Sequence, residues 1–83
     1  KYSAAAIGPD GTLWVLDAGN FRVQAFGEAG QPLRQFGSAG NGLGQFARPR
    51  GLAVNSEGLV FVADALLCNV QVFQPDGQLL LAL

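Results

Sequence analysis

The chain repeats itself. Residues 4–36 lie over residues 51–83 at a fixed offset of 47 positions without a gap. Eleven of the 33 pairs are identical: Ala6/Ala53, Gly11/Gly58, Val15/Val62, Asp17/Asp64, Ala18/Ala65, Val23/Val70, Gln24/Gln71, Phe26/Phe73, Gly30/Gly77, Gln31/Gln78 and Leu33/Leu80. Most other pairs keep their character, as in Ile7/Val54, Leu13/Val60, Trp14/Phe61 and Phe36/Leu83. Chance does not produce a third identity in strict register over such a span. The fold must therefore be one that stacks copies of a single short unit.

Within each copy, short apolar runs alternate with turn chemistry at spacings too tight for helices. The first copy predicts strands at 4–7, 13–17, 22–26 and 32–36, with turns at Gly8-Pro9-Asp10-Gly11 and around Gly27–Gly30. Proline presets φ, aspartate tolerates the bridge region and glycine supplies a positive φ, so Pro-Asp-Gly makes a turn. The triplet recurs in Gln74-Pro75-Asp76-Gly77, and Ser56-Glu57-Gly58 fills the remaining equivalent slot with weaker chemistry. Val, Ile, Phe and Trp dominate the runs, and no segment carries helix capping signals. Each copy reads as a four-stranded antiparallel meander.

Tandem meanders of this length point to an all-β fold of β-propeller blades. The first strand of each copy is small and apolar (Ala4, Ala5, Ala6; Gly51, Leu52, Ala53), as a crowded central channel requires. The second strand is bulky (Leu13, Trp14, Val15; Val60, Phe61, Val62) and needs cover on both faces, which stacked blades provide. A β-sandwich would instead demand one clean polar face per strand. The predicted organisation is a first blade at 1–36, a glycine-rich crossover at 37–50 and a second blade at 51–83.

Charge and composition narrow the function. Five basic and six acidic residues give a net charge of −1, so no global basic field is present to hold nucleic acid or an anionic membrane. Histidine is absent and there is one cysteine, Cys68. An internal disulfide, a His-ligated zinc site and His-based acid–base catalysis are thereby excluded for this chain. No apolar run approaches the ~20 residues of a membrane helix. No cofactor is expected.

Several stretches together resemble the NHL repeat family, whose members form propellers, most often of six blades. They are Phe36-Gly37, the glycines at 40, 42 and 44, Gln45-Phe46, Pro49 and Gly51-Leu52-Ala53-Val54, then Gly58, Val60-Phe61-Val62-Ala63-Asp64 and Val70-Gln71-Val72-Phe73. The most diagnostic stretch is Asp17-Ala18-Gly19-Asn20-Phe21-Arg22-Val23-Gln24-Ala25-Phe26. The second copy departs from the pattern with Leu67 and Asn69 in place of Asn and Arg. In the first copy, Tyr2 and Ala4 stand where Pro and Gly are usual.

The resemblance implies a structural role for Asp17 and Arg22, the carboxylate accepting loop N–H groups and the guanidinium spanning to it. In the second copy Asp64 faces Asn69 and loses that ion pair, leaving the carboxylate to cap the loop. Gly37–Gly44 superficially suggests a phosphate cradle, but it lacks a Gly-Lys-Ser/Thr ending and opens no helix. It reads as a crossover loop, anchored by Gln45-Phe46. Arg48-Pro49-Arg50 is the one local cluster of like charge, and it falls on the side of the loop between second and third strands. Cys68 reads as a small buried hydrophobe rather than a nucleophile, since no histidine or nearby lysine lowers its pKa. Leu66 and Leu67 replace the polar Gly19-Asn20 of the first copy and create an apolar spot on the same side.

These residues predict a non-enzymatic scaffold that binds a macromolecule, a protein, through a loop face carrying Arg48, Arg50, Leu66 and Leu67. Two alternatives stand beside it. Some NHL proteins bind RNA through a basic face, which here would centre on Arg48 and Arg50. The peptide-amidating lyase also resembles an NHL propeller, but its metal chemistry relies on histidine. Two blades leave apolar faces bare, including the neighbours of Trp14 and Phe61. If the chain exists alone, three copies are expected to close a six-bladed ring as a homotrimer.

Overall fold

The computed structural model describes residues 3–83, so Tyr2, one of the two first-copy departures from the family pattern, lies outside the described residues. Strands β1 (Ser3–Ile7), β2 (Leu13–Asp17), β3 (Arg22–Phe26) and β4 (Pro32–Phe36) form one four-stranded sheet. Strands β5 (Pro49–Val54), β6 (Val60–Asp64), β7 (Asn69–Phe73) and β8 (Leu79–Ala82) form the other. Both are antiparallel meanders in sequence order, so the fold is all-β and blade-like. Among the described residues the one helical element is a single 3₁₀ turn at Ala18–Asn20. Strand β5 begins at Pro49, so Pro49 and Arg50 already belong to the second sheet, where a bulge between Pro49 and Gly51 admits them.

The turns repeat as faithfully as the strands. In each sheet the first hairpin closes with paired backbone bonds, Gly8 N–H to Thr12 O and Asn55 N–H to Leu59 O, at 2.8 and 3.0 Å. The Asp10 carboxylate accepts Thr12 N–H at 3.0 Å, and the Asn55 side chain accepts Glu57 and Leu59 N–H at 2.9 Å each. The second hairpin of each sheet turns at a positive-φ glycine, Gly30 or Gly77. Local side chains thus satisfy the turn amides that the ladders leave open.

The sheets stack face to face. From the first come Trp14, Leu16, Val23 and Ala25, and from the second Val60, Val62 and Phe73. All are buried, and Phe46 from the crossover is enclosed among them. Phe36 lies 6.3 Å from Trp14 and 4.4 Å from Phe73, while Phe73 meets Phe46 edge-on at 6.0 Å. This chain of rings joins both sheets and the crossover, each contact adding about 0.5–1.5 kcal/mol beyond area burial. The small-residue strands β1 and β5 lie side by side, as the channel-lining reading requires.

The crossover is a loop folded on itself. Phe46 N–H donates to Ser38 O at 2.8 Å and Gly40 N–H returns to Phe46 O at 3.1 Å. Gly37 opens it with φ 110°, and a Cβ there would stand 2.6 Å from the Phe46 ring and 2.8 Å from Phe21 O. Gly30 has φ 86° but open space around it. Gly30→Ala should therefore cost only the backbone penalty of about 1–2 kcal/mol. Gly37→Ala should lower the denaturant midpoint clearly further, because the buried ring and a backbone carbonyl must also give way. Equal midpoints for the two variants would contradict this packing.

Candidate functional site

In a meander, the β2–β3 and β6–β7 loops and the crossover all emerge at the same end of the sheets, opposite the hairpin turns. At that end one carboxylate organises the backbone. Asp64, 3% exposed, closes β6 opposite Asn69. Its Oδ2 accepts Ala47 N–H at 2.8 Å. Its Oδ1 accepts the N–H groups of Arg48 at 3.1 Å, Leu66 at 3.1 Å and Leu67 at 3.0 Å. Burial pushes this carboxyl up, but the four donors, Leu67 foremost, outweigh it and hold it below the ordinary carboxylate range. A single anion thus pins the crossover to the β6–β7 loop.

Gln71 makes a second clamp. Fully buried, it accepts Gly44 N–H at 2.7 Å and donates to Gln45 O at 2.8 Å. The Gln45 side chain accepts Gly42 N–H at 3.0 Å. The amides of Gly40, Gly42, Gly44, Gln45 and Phe46 are therefore all engaged within the protein. None of these five is left to hold a phosphate.

The candidate residues sit around these clamps. Arg48 and Arg50 are exposed and line a groove of about 510 Å³ with Ala18, Gly19, Phe21 and Pro49. Leu66 is 60% exposed and Leu67 half-buried. Arg48, Leu66 and Leu67 are brought together through Asp64, since all three donate to the same oxygen. Arg50 belongs to the same end through the groove. Cys68, read above as buried, is exposed instead. It ends the loop in the left-handed conformation at φ 55°, matched by φ 56° at its repeat counterpart Phe21. Its thiol lies 3.7 Å from Ala65 O.

Asp17 and Arg22 form an ion pair at 3.1 Å, with side chains 22% and 34% exposed respectively. Asn20 Nδ2 also donates to Asp17 Oδ2 at 3.0 Å. The Asn20 amide and then Arg22 hold this carboxyl below its ordinary value, against some opposing desolvation. Asp17 makes no cap bond to the following 3₁₀ turn. The capping expected of both aspartates is made by Asp64 alone, which takes Leu66 and Leu67 N–H from its own loop and Ala47 and Arg48 N–H from the crossover. The pair is solvent-screened and contributes modestly to stability.

Sequence reasoning missed two features of this end. One is the bridging role of Asp64 and Gln71; their identity with Asp17 and Gln24 across the repeat was the available signal. The other is Phe21, a partly exposed aromatic beside Arg48 and Arg50. Among the described residues, no helix is long and apolar enough to cross a membrane, and no group of three or more His, Cys, Asp or Glu residues gathers in a way that could hold a metal ion.

Comparison with known proteins agrees with this architecture. The sequence profile of the NHL repeat matches residues 46–74, from the crossover plug Phe46 to just past β7. The rat (Rattus norvegicus) E3 ubiquitin-protein ligase TRIM71 is 46% identical over 48 residues, covering 58% of this chain and 6% of that protein. The Caenorhabditis elegans protein lin-41 is 44% identical over 46 residues, covering 55% of this chain and 4% of that protein. This chain thus matches only a small fraction of the length of these relatives. It carries an NHL repeat at residues 46–74, within a fold of two propeller-type blades.

Proposed function

We propose that the chain is a non-enzymatic interaction scaffold that binds a protein through the loop face around Arg48, Arg50, Leu66 and Leu67. The observation that carries this reading is the Asp64 carboxylate, which holds Arg48 and the exposed Leu66 side by side on a fixed backbone. A cationic group beside an apolar one on a preorganised loop suits a protein surface, since little ordering entropy remains to be lost on binding. The name of the rat relative, a ubiquitin-protein ligase, is compatible with a protein partner. The activity in that name is that of a protein of which the match covers 6%.

Peptides selected from a displayed random library against the immobilised chain test the proposal. Arg48→Glu and Leu66→Asp should each weaken a selected peptide about tenfold or more. Glu57→Lys, in a hairpin turn at the opposite end, should leave binding unchanged. Peptides indifferent to both loop-face changes would contradict the reading. The second reading, RNA, is favoured by Phe21 lining the same groove as the two arginines, an aromatic–cation pairing that suits single strands. Sub-micromolar binding of a single-stranded RNA of about 10 nucleotides, falling steeply between about 50 and 200 mM salt, would decide for RNA over protein.

A further inference from the structure

The repeat makes the two open faces of the molecule predictable from its own interior. On the first sheet, strand alternation and register place Ile7, Leu13, Val15 and Phe26 on the face away from the core. Their counterparts at the 47-residue offset are Val54, Val60, Val62 and Phe73. Those four form the second sheet's side of the buried interface or pack against it. The converse holds as well. Phe61, Val70, Val72 and Leu83 lie on the side of the second sheet away from that interface, where Val72 is already buried at 3% exposure within the chain. Their counterparts Trp14, Val23, Ala25 and Phe36 form the first sheet's side of the interface.

Each open face is thus the repeat image of one half of an interface that already exists within the chain. On the first sheet this face is apolar and partly open, with Ile7 71% and Leu13 37% exposed. Even the polar positions correspond. Asp17 and Gln24 on the open face are the counterparts of Asp64 and Gln71 on the buried one.

We infer that copies of this chain stack head to tail, the first sheet's open face of one copy seating on the second sheet's open face of the next. The occupant follows from continuity: the operation that places the second sheet on the first, applied again, places a new first sheet on the second. Such a contact is heterologous, so it closes into a ring when the rotation divides the circle. A ring of six blades would close with three copies. The inference does not depend on what the loop face binds.

The test is sedimentation of the 83-residue chain at micromolar concentration, with two single-face variants. Leu13→Asp blocks the first open face and Phe61→Asp the second. The wild type should sediment as a closed assembly and each variant as a single chain. Mixing the variants should give a one-to-one heterodimer and nothing larger, because each retains the face the other lacks. Circular dichroism reports whether each variant is folded, and Leu83→Asp replaces Phe61→Asp if the latter unfolds. A folded wild-type monomer overturns the inference whatever the variants do. Variants that each still dimerise alone also overturn it, since they would reveal like faces pairing with like.

Discussion

Asp64→Ala is expected to destabilise the chain by about 3–5 kcal/mol, since each buried donor left without an acceptor costs about 1–3 kcal/mol and water can rescue part of the four. Four backbone N–H groups, those of Ala47, Arg48, Leu66 and Leu67, would lose their acceptor at a part-buried site. A domain of this size has only about 5–15 kcal/mol in total, so the loss would be visible as a large drop in urea midpoint. Asp17→Ala removes the same residue type at the equivalent position. It strands only side-chain donors that water can reach, and its midpoint should move much less. The pH dependence has a fixed sign. Asp64 titrates below its ordinary value of 3.8 in the folded chain. Its contribution is therefore complete above that value and is lost as pH falls through the depressed one. Unfolding measured against pH should show an acid limb in the wild type that is reduced in Asp64→Asn. An unchanged limb would assign the acid sensitivity to other carboxylates, of which Asp10 and Asp17 are also held below their ordinary values.

Phe46→Ala should cost about 3–5 kcal/mol, the range for emptying a buried aromatic site. The ring is fully enclosed between the two sheets and meets Phe73 edge-on. It is also the residue through which the crossover is packed, so its loss should loosen the loop that carries Arg48. Leu43, three residues earlier and 74% exposed, provides the control. Leu43→Ala should fall within about 0.5 kcal/mol of the wild type. Thermal unfolding of the two variants separates a crossover that plugs the core from one that merely spans it; similar losses at both positions would contradict the plug.

The sequence carried the strands well because their signals are local. The bulky apolar runs at Leu13–Asp17 and Val60–Asp64 and the Pro-Asp-Gly turns act within a few residues, and the structure places strands and turns where those signals lie. What the sequence hid is set by the neighbour. Asp17 and Asp64 are the same letter in the same register, yet only Asp64 meets the crossover and becomes a four-donor hub. Trp14 and Phe61 are likewise equivalent, but the order of the sheets buries the first between them and leaves the second on an open face. Phe21 beside Arg48 was equally invisible, since more than two dozen residues separate them in the chain. Residue type alone places a lone cysteine such as Cys68 inside, whereas its position at the end of a tight loop exposes it.

One buried carboxylate makes the loop face a fixed platform, and hydrogen exchange at single residues reports whether it does. The amides of Ala47, Arg48, Leu66 and Leu67 lie in loops or at the margin of a strand, where exchange is ordinarily fast. If Asp64 holds them, all four should exchange as slowly as the amides of β6, and in Asp64→Ala, which removes both acceptor oxygens, they should all lose protection together. Rapid exchange of these four in the wild type, while β6 remains protected, would show loops that move freely above the sheet and would contradict the account.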